Sequence, residues 1–275
     1  MINTLIYYFS NYPFIINAFI VAILTSICSS LLGMNLVLKR LAYIGDSLSH
    51  TAFGFMCMGS IISLNDNMIF VTISMIIVTI IIIKYSNKIK GDSLLALFSV
   101  SALGIGYFIM NVFNTSSNIS GDVCTVLFGS SSILTLRSTD LYISIVLSII
   151  IIIIYILYYN YFFVLSFDDN FSKVSGVNID IYNNIFAIVL AIIIVLSIKL
   201  VGSLLISALI VFPALTCMNI FNSYFKATIG CIVFSLISTI IGMLIAILYG
   251  TPIGSTIIII NLFIYILSLL YKRYI

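Results

Sequence analysis

The chain has 275 residues, of which 63% are hydrophobic and 7% are charged, with a formal net charge of +3 and a mean hydropathy of +1.31. A soluble domain carries about 25% charged residues, so this composition excludes a solvated globular surface. The small net charge gives no support for nucleic-acid binding. The chain is therefore predicted to be an all-α, polytopic bundle of membrane-spanning helices, forming a single domain over residues 1–275.

A membrane-spanning helix needs about 20 predominantly apolar residues. Segment 119–136 is broken up by glycine, aspartate and serine, so it fits a short interfacial or re-entrant helix better than a full span. The sequence therefore predicts eight or nine transmembrane helices. The nine candidate spans are 14–38, 44–64, 68–85, 92–112, 140–165, 181–199, 202–220, 227–249 and 255–271.

Basic residues favour one side of this predicted topology. If segment 119–136 does not cross, nine of the eleven Lys and Arg residues lie on one side and only Arg137 and Lys199 on the other. If it does cross, the ratio becomes seven to four. Because cytoplasmic loops are enriched in Lys and Arg, the first topology is favoured, with the N-terminus outside and the C-terminus in the cytoplasm. The nine residues are Lys39, Arg40, Lys84, Lys88, Lys90, Lys173, Lys226, Lys272 and Arg273.

The longest predicted cytoplasmic connection is residues 166–180. It holds three of the eight Asp residues, and its apolar residues recur every three to four positions, which is typical of a short amphipathic helix. Such a helix could lie on the membrane surface or dock into a cytoplasmic partner. The sequence contains no GxxxxGK[ST] phosphate-binding loop, so nucleotide-driven work would need another polypeptide. The chain itself is not predicted to be an enzyme.

The single histidine, His50, follows Asp46 by four residues within the predicted span 44–64. On a helix this spacing places both side chains on one face, about 40° apart. An ionised carboxylate inside the bilayer costs about 2.5–3.5 kcal/mol, which suggests a function. Carboxylate and imidazole together suit a borderline divalent ion such as zinc, manganese or iron. A structural hydrogen-bonded pair and a proton relay remain alternatives. Two ligands alone are too few for a tight site, so other groups or a second chain would complete it.

Several segments resemble the permease subunits of bacterial ABC importers for zinc and manganese. Residues 38–50, LKRLAYIGDSLSH, resemble the family's motif of a basic pair, an aromatic residue, Gly-Asp and Ser-His. Residues 127–129, LFG, resemble its short Leu-Phe-Gly element, and residues 166–177 resemble the cytoplasmic loop that forms its coupling helix. Residues 202–214, GSLLISALIVFPA, resemble its late Gly-x-Leu-Leu to Pro-Ala signature. The matches occur in the family's order.

The resemblance implies a type II-like ABC importer permease in a bacterial cytoplasmic membrane. It implies a homodimeric channel, two cytoplasmic ATP-binding subunits and an extracytoplasmic metal-binding protein. It also implies that Asp46 and His50 contact Zn²⁺ or Mn²⁺ in transit, with no permanently bound cofactor. One departure is that the loop contains Asp but no Glu. The loop residues expected to couple to the ATP-binding subunits are Phe167, Asp168, Ser175 and Gly176.

Two other functions stay open at this point. A proton-coupled secondary metal transporter would use Asp46 and His50 as a relay. An ABC permease for a metal chelate or a vitamin would share the architecture but would not need an Asp–His pair within a helix. Zinc and manganese are not separated by these residues, because both ions accept carboxylate and imidazole ligands.

Overall fold

The computed structural model describes residues 12–61, 67–86, 91–113, 138–167 and 178–274. Within these ranges the chain forms ten α-helices and no β-strand. In chain order they are α1 (Pro13–Leu38), α2 (Ile44–Ile61), α3 (Asn67–Tyr85), α4 (Gly91–Val112), α5 (Ser138–Leu157), α6 (Tyr159–Phe167), α7 (Ile179–Val201), α8 (Ser203–Ile220), α9 (Tyr224–Tyr249) and α10 (Ile253–Tyr274).

The helices confirm the predicted membrane bundle. Seven of the described helices are long and apolar enough to cross a membrane, namely α1, α3, α4 and α7–α10. The consecutive helices α5 and α6 add an eighth span if they are counted as one bent element. Helix α2 has 18 residues but is less apolar, since it carries Asp46, His50 and several serines. The predicted interfacial segment 119–136 lies outside the described residues.

The predicted span 140–165 is divided into two helices. Helices α5 and α6 meet at Tyr158 with a bend of 68°, although residues 140–165 contain neither proline nor glycine. Aromatic rings pack across the break. The Phe162 ring lies 5.8 Å from that of Tyr155 and 6.3 Å from that of Tyr158, measured between centroids. Hydropathy alone does not reveal such a bend, because both halves are apolar.

Helices α1 and α8 lie at the centre of the bundle. Helix α1 packs against α5, α7, α8 and α9, while α8 packs against α1, α2, α9 and α10. Helix α4 packs mainly against α2, and only 22% of its span is buried. The outward faces of α3, α4 and α10 carry exposed apolar side chains, as expected for helices in contact with lipid.

Glycine permits a close approach of the two central helices. A Cβ atom placed on Gly33 of α1 would overlap the backbone carbonyl of Ile210 on α8. Small residues at such positions allow membrane helices to pack backbone against backbone. Gly33 therefore fixes the distance between α1 and α8.

Replacing Gly33 with alanine is expected to destabilise the protein. Overpacking costs about 1–3 kcal/mol, whereas alanine in place of glycine stabilises a helix by only about 1 kcal/mol. Thermal unfolding of the purified protein in detergent measures the difference. Gly104→Ala is the matched control, because a Cβ at Gly104 in α4 meets no atom within 4 Å. An unfolding temperature that falls equally in both variants would contradict the assigned contact.

Candidate metal-ion site

A tight turn leads from α1 into α2. The Leu41 N–H donates to the Leu36 carbonyl at 2.9 Å, and the Arg40 N–H donates to the Val37 carbonyl at 3.1 Å. These two bonds form a Schellman motif, whose left-handed position is occupied by Arg40 with φ of 58°. This conformation costs a residue other than glycine about 1–2 kcal/mol. Leu36 and Leu41 are both buried in the same apolar cluster. The turn therefore reverses the chain within four residues, and α2 begins at Ile44.

The first turn of α2 packs against α8. A Cβ on Gly45 would lie 3.2 Å from the Cα of Ser207 on α8. Ser207 precedes the end of α8 at Ile220 by thirteen residues, which is about 20 Å along the helix axis. Asp46 follows Gly45 directly. Since Ser207 follows the start of α8 at Ser203 by only four residues, the contact places the carboxylate beside the beginning of α8.

Helix α4 holds the other side of α2. The Ser47 hydroxyl donates to the Leu95 carbonyl at 2.7 Å. Two turns further along α2, a Cβ atom placed on Gly54 would lie 2.8 Å from the carbonyl oxygen of Ala102 on α4. The two helices therefore run side by side at short distance, and the two neighbours of Asp46, Gly45 and Ser47, contact α8 and α4 respectively.

The structure brings Asp46 and His50 together. The His50 Nε2 atom lies 3.5 Å from the Asp46 Oδ2 atom, with exposed side-chain fractions of 18% for His50 and 41% for Asp46. Carboxylate oxygen and imidazole nitrogen are ligands for zinc and manganese. Among the described residues, no group of three or more His, Cys, Asp or Glu side chains is placed to hold a metal ion. The described part of one chain therefore supplies two candidate ligands, which is fewer than a closed site needs.

An open pocket between α2 and α4 leads to Asp46. Tyr43, Asp46 and Ser47 line it from the α2 side, and Asp92 and Ser99 line it from α4. Asp92 is not among the site residues predicted from the sequence. A usable signal existed, because Asp46 and Asp92 both lie in the first turn of helices that begin on the same predicted side of the membrane.

The residues expected to couple to ATP-binding subunits are described only in part. Phe167 is the last residue of α6, and its side chain is 62% exposed. Its ring lies 6.2 Å from that of Tyr224 at the start of α9. Asp168, Ser175 and Gly176 lie outside the described residues.

These features define a class: a polytopic helical membrane protein with a partly exposed Asp–His pair at the start of one of its helices. The family model of the ABC 3 transport family matches residues 11–272. The chain belongs to this family.

Similar proteins cover nearly the whole chain. It is 28% identical over 262 residues to the high-affinity zinc uptake system membrane protein ZnuB of Haemophilus influenzae, covering 93% of this chain and 96% of that protein. It is 24% identical over 271 residues to the manganese import system permease protein ScaB of Streptococcus parasanguinis, covering 98% and 94%. The fold is similar to that of PsaBC from Streptococcus pneumoniae, solved in complex with Fab. The TM-score is 0.81 at 24% identity, covering 98% of this chain and 95% of that one.

Ser47→Ala is expected to loosen the contact between α2 and α4. The variant removes the hydroxyl that donates from α2 to a carbonyl of α4, and such a bond contributes about 1 kcal/mol to the free energy of unfolding. Ser101→Ala is the matched control, because the Ser101 hydroxyl bonds only to carbonyls of its own helix, at Leu97 and Phe98. Thermal unfolding should show a lower midpoint for Ser47→Ala alone, and identical midpoints would contradict the role of this bond.

Proposed function

We propose that this chain is the membrane-spanning permease subunit of an ABC importer that takes up a divalent metal ion, zinc or manganese. The observation that carries the proposal is the Asp46–His50 contact at the start of α2, of which Asp46 lines the pocket between α2 and α4. Membership of the ABC 3 transport family supports the transport class. The names of the zinc and manganese relatives support the kind of ion.

Two ligands in each chain suit a shared ion site. A second copy of the chain facing the first would bring two carboxylates and two imidazoles together, the number that a four-coordinate ion needs. The 41% exposure of the Asp46 side chain in the single chain leaves that carboxylate accessible to such a partner. Ligation that is incomplete in either half also lets the ion leave again, as transport requires. The ion is cargo, and no cofactor is held permanently.

The energy for transport comes from separate cytoplasmic ATP-binding subunits. These subunits contact the connection 166–180, in which Phe167, Asp168, Ser175 and Gly176 form the coupling surface. The chain itself is a permease and hydrolyses no ATP. An extracytoplasmic metal-binding protein delivers the ion to the opposite face. The family match over residues 11–272 supports treating the whole chain as one permease domain.

The membrane is the bacterial cytoplasmic membrane, with the N-terminus outside and the C-terminus in the cytoplasm. Contacts between helix ends join ends that this topology places on one side. Lys39, after the end of α1, donates to Asn183 near the start of α7 at 2.7 Å. Lys272, in the last turn of α10, donates to Asn219 in the last turn of α8 at 3.3 Å. Basic residues therefore meet the helix ends that the topology assigns to the cytoplasm.

Asp46→Ala and His50→Ala are each expected to abolish metal uptake while the complex still assembles. Each variant removes one of the two candidate ligands in every chain. Uptake of radioactive zinc and manganese into liposomes containing the complete transporter, energised with ATP, measures the effect. Asp92→Asn is the matched control, because Asp92 lines the same pocket from α4 without contacting His50.

Normal uptake by both alanine variants would overturn the site assignment. Loss of uptake in Asp92→Asn equal to that in Asp46→Ala would assign the role to the charge of the pocket instead of a ligand pair. Uptake that continues without ATP and follows a proton gradient would overturn the ATP-driven mechanism.

A shared ion site makes a further prediction for mixed complexes. Complexes that contain one wild-type chain and one His50→Ala chain can be isolated by two different affinity tags. They should bind zinc at least tenfold more weakly than wild-type complexes, because the loss of one ligand lowers the binding free energy by about 1.4 kcal/mol or more. Equilibrium dialysis gives the affinity. Binding equal to that of the wild type would mean that a single chain holds the ion by itself.

A further inference from the structure

Two polar contacts tie the last turns of α1 to the helices on either side of the connection 168–178. The Asn35 side-chain amide donates to the Phe162 carbonyl of α6 at 3.3 Å. The Lys39 Nζ atom donates to the Asn183 Oδ1 atom of α7 at 2.7 Å. Along the chain, α6 precedes this connection and α7 follows it. Both helices are therefore bonded to the same end of α1.

Asn35 is an unusual residue for an apolar helix interior. Its side chain is 1% exposed, and its Oδ1 atom accepts hydrogen bonds from the hydroxyls of Tyr155, at 3.2 Å, and Tyr224. A buried amide without such partners is costly, whereas a fully bonded one specifies a single arrangement of the elements it joins. Here it joins α1, the bend between α5 and α6, and the start of α9.

Lys39 joins the end of α1 to α7 through its charged ammonium group. Its ammonium group bonds to the Asn183 amide and lies 5.8 Å from the centroid of the Phe186 ring, so both partners are on α7. The Phe186 ring in turn packs edge-on against Phe162 of α6, with centroids 5.4 Å apart. Helices α6 and α7 are thus in contact with each other as well as with α1.

The same end of α1 continues directly into the candidate ion site. Four residues, Arg40 to Tyr43, separate Lys39 from the start of α2. The bond from the Leu41 N–H to the Leu36 carbonyl and the bond from the Ile44 N–H to the Leu41 carbonyl leave this turn little freedom. A displacement of the α1 end must therefore move the first turn of α2, which carries Asp46.

We propose that Asn35 and Lys39 are positioning residues that transmit displacements of α6 and α7 to the Asp46–His50 pair. When ATP-binding subunits move the ends of α6 and α7, these contacts carry the movement through α1 to the ligands. This inference rests on the proposed function and adds to it the route by which ATP hydrolysis acts on the ion site. Without these contacts, hydrolysis continues but no longer drives the ion through the channel efficiently.

The test is the number of metal ions transported per ATP hydrolysed by the complete transporter in liposomes. Lys39→Met and Asn35→Leu should lower this ratio about tenfold, since each removes a contact whose loss is worth a factor of that order. Lys39→Arg should restore it, because a guanidinium can still donate to Asn183. Lys84→Met is the matched control: Lys84 lies in the last turn of α3 and is exposed at the same end of the bundle.

Several outcomes separate the possible errors. A wild-type ratio in both Lys39→Met and Asn35→Leu would overturn the inference. If Asn35→Leu fails to assemble, Tyr224→Phe replaces it, because this change removes only the hydroxyl that donates to the Asn35 amide oxygen. A wild-type ratio in both Tyr224→Phe and Lys39→Met would overturn the inference as well. Absence of ATP-dependent metal transport in the wild-type complex would overturn the proposed function instead. An equal fall of this ratio in Lys84→Met would overturn the inference too, because it would show that positive charge at this end of the bundle determines the ratio, and not the contacts of Asn35 and Lys39.

Discussion

The first two helices meet α8 at backbone distance, at Gly33 and at Gly45. In lipid, helices gain little by burying apolar side chains against one another, so close backbone packing is a main source of their association. A side chain at either glycine would separate α8 from its neighbour. Because Gly45 directly precedes Asp46, the contact that fixes α2 on α8 also sets the depth of the carboxylate. The position of the candidate ion site is therefore a consequence of helix packing.

Buried polar side chains in the bundle are of two kinds: those that bond within their own helix and those that bond to another helix. Most buried hydroxyls bond to carbonyls of their own helix, as Ser29, Thr51 and Thr79 do. Such bonds satisfy the group without joining helices. The bonds of Asn35, Lys39 and Ser47 instead cross between helices, and they lie around the turn from α1 to α2. Other polar bonds between helices lie elsewhere in the bundle, such as those from Ser235 to Ser26 and from Lys272 to Asn219. The bonds around the turn therefore belong to a wider set of interhelical bonds, while Asp46 itself stays accessible from the pocket.

The sequence predicted the helices well and their shape less well. Runs of apolar residues predicted nine spans, which cover the ten described helices with α5 and α6 taken as one, because the length of a span, about 20 residues, is set by the thickness of the bilayer. The 68° bend between α5 and α6 was not predicted, because it depends on rings packing across the break and on the bond from Asn35 to Phe162. Asn35 itself appeared only as one amide in an apolar run. Its importance became visible only when Tyr155 and Tyr224 were found to bond to it.

The sequence by itself determined membrane residence, the helix positions and the adjacency of Asp46 and His50. Each of these follows from local composition or from the four-residue spacing on one helix. The tertiary structure decided which helix covers which face, how deep Asp46 lies and that Asp92 shares its pocket. It also decided that both helices flanking the connection 168–178 are bonded to α1. The physical reason is that a helix in lipid is apolar on its outer face as well as its inner one, so hydrophobic periodicity does not mark the face that packs.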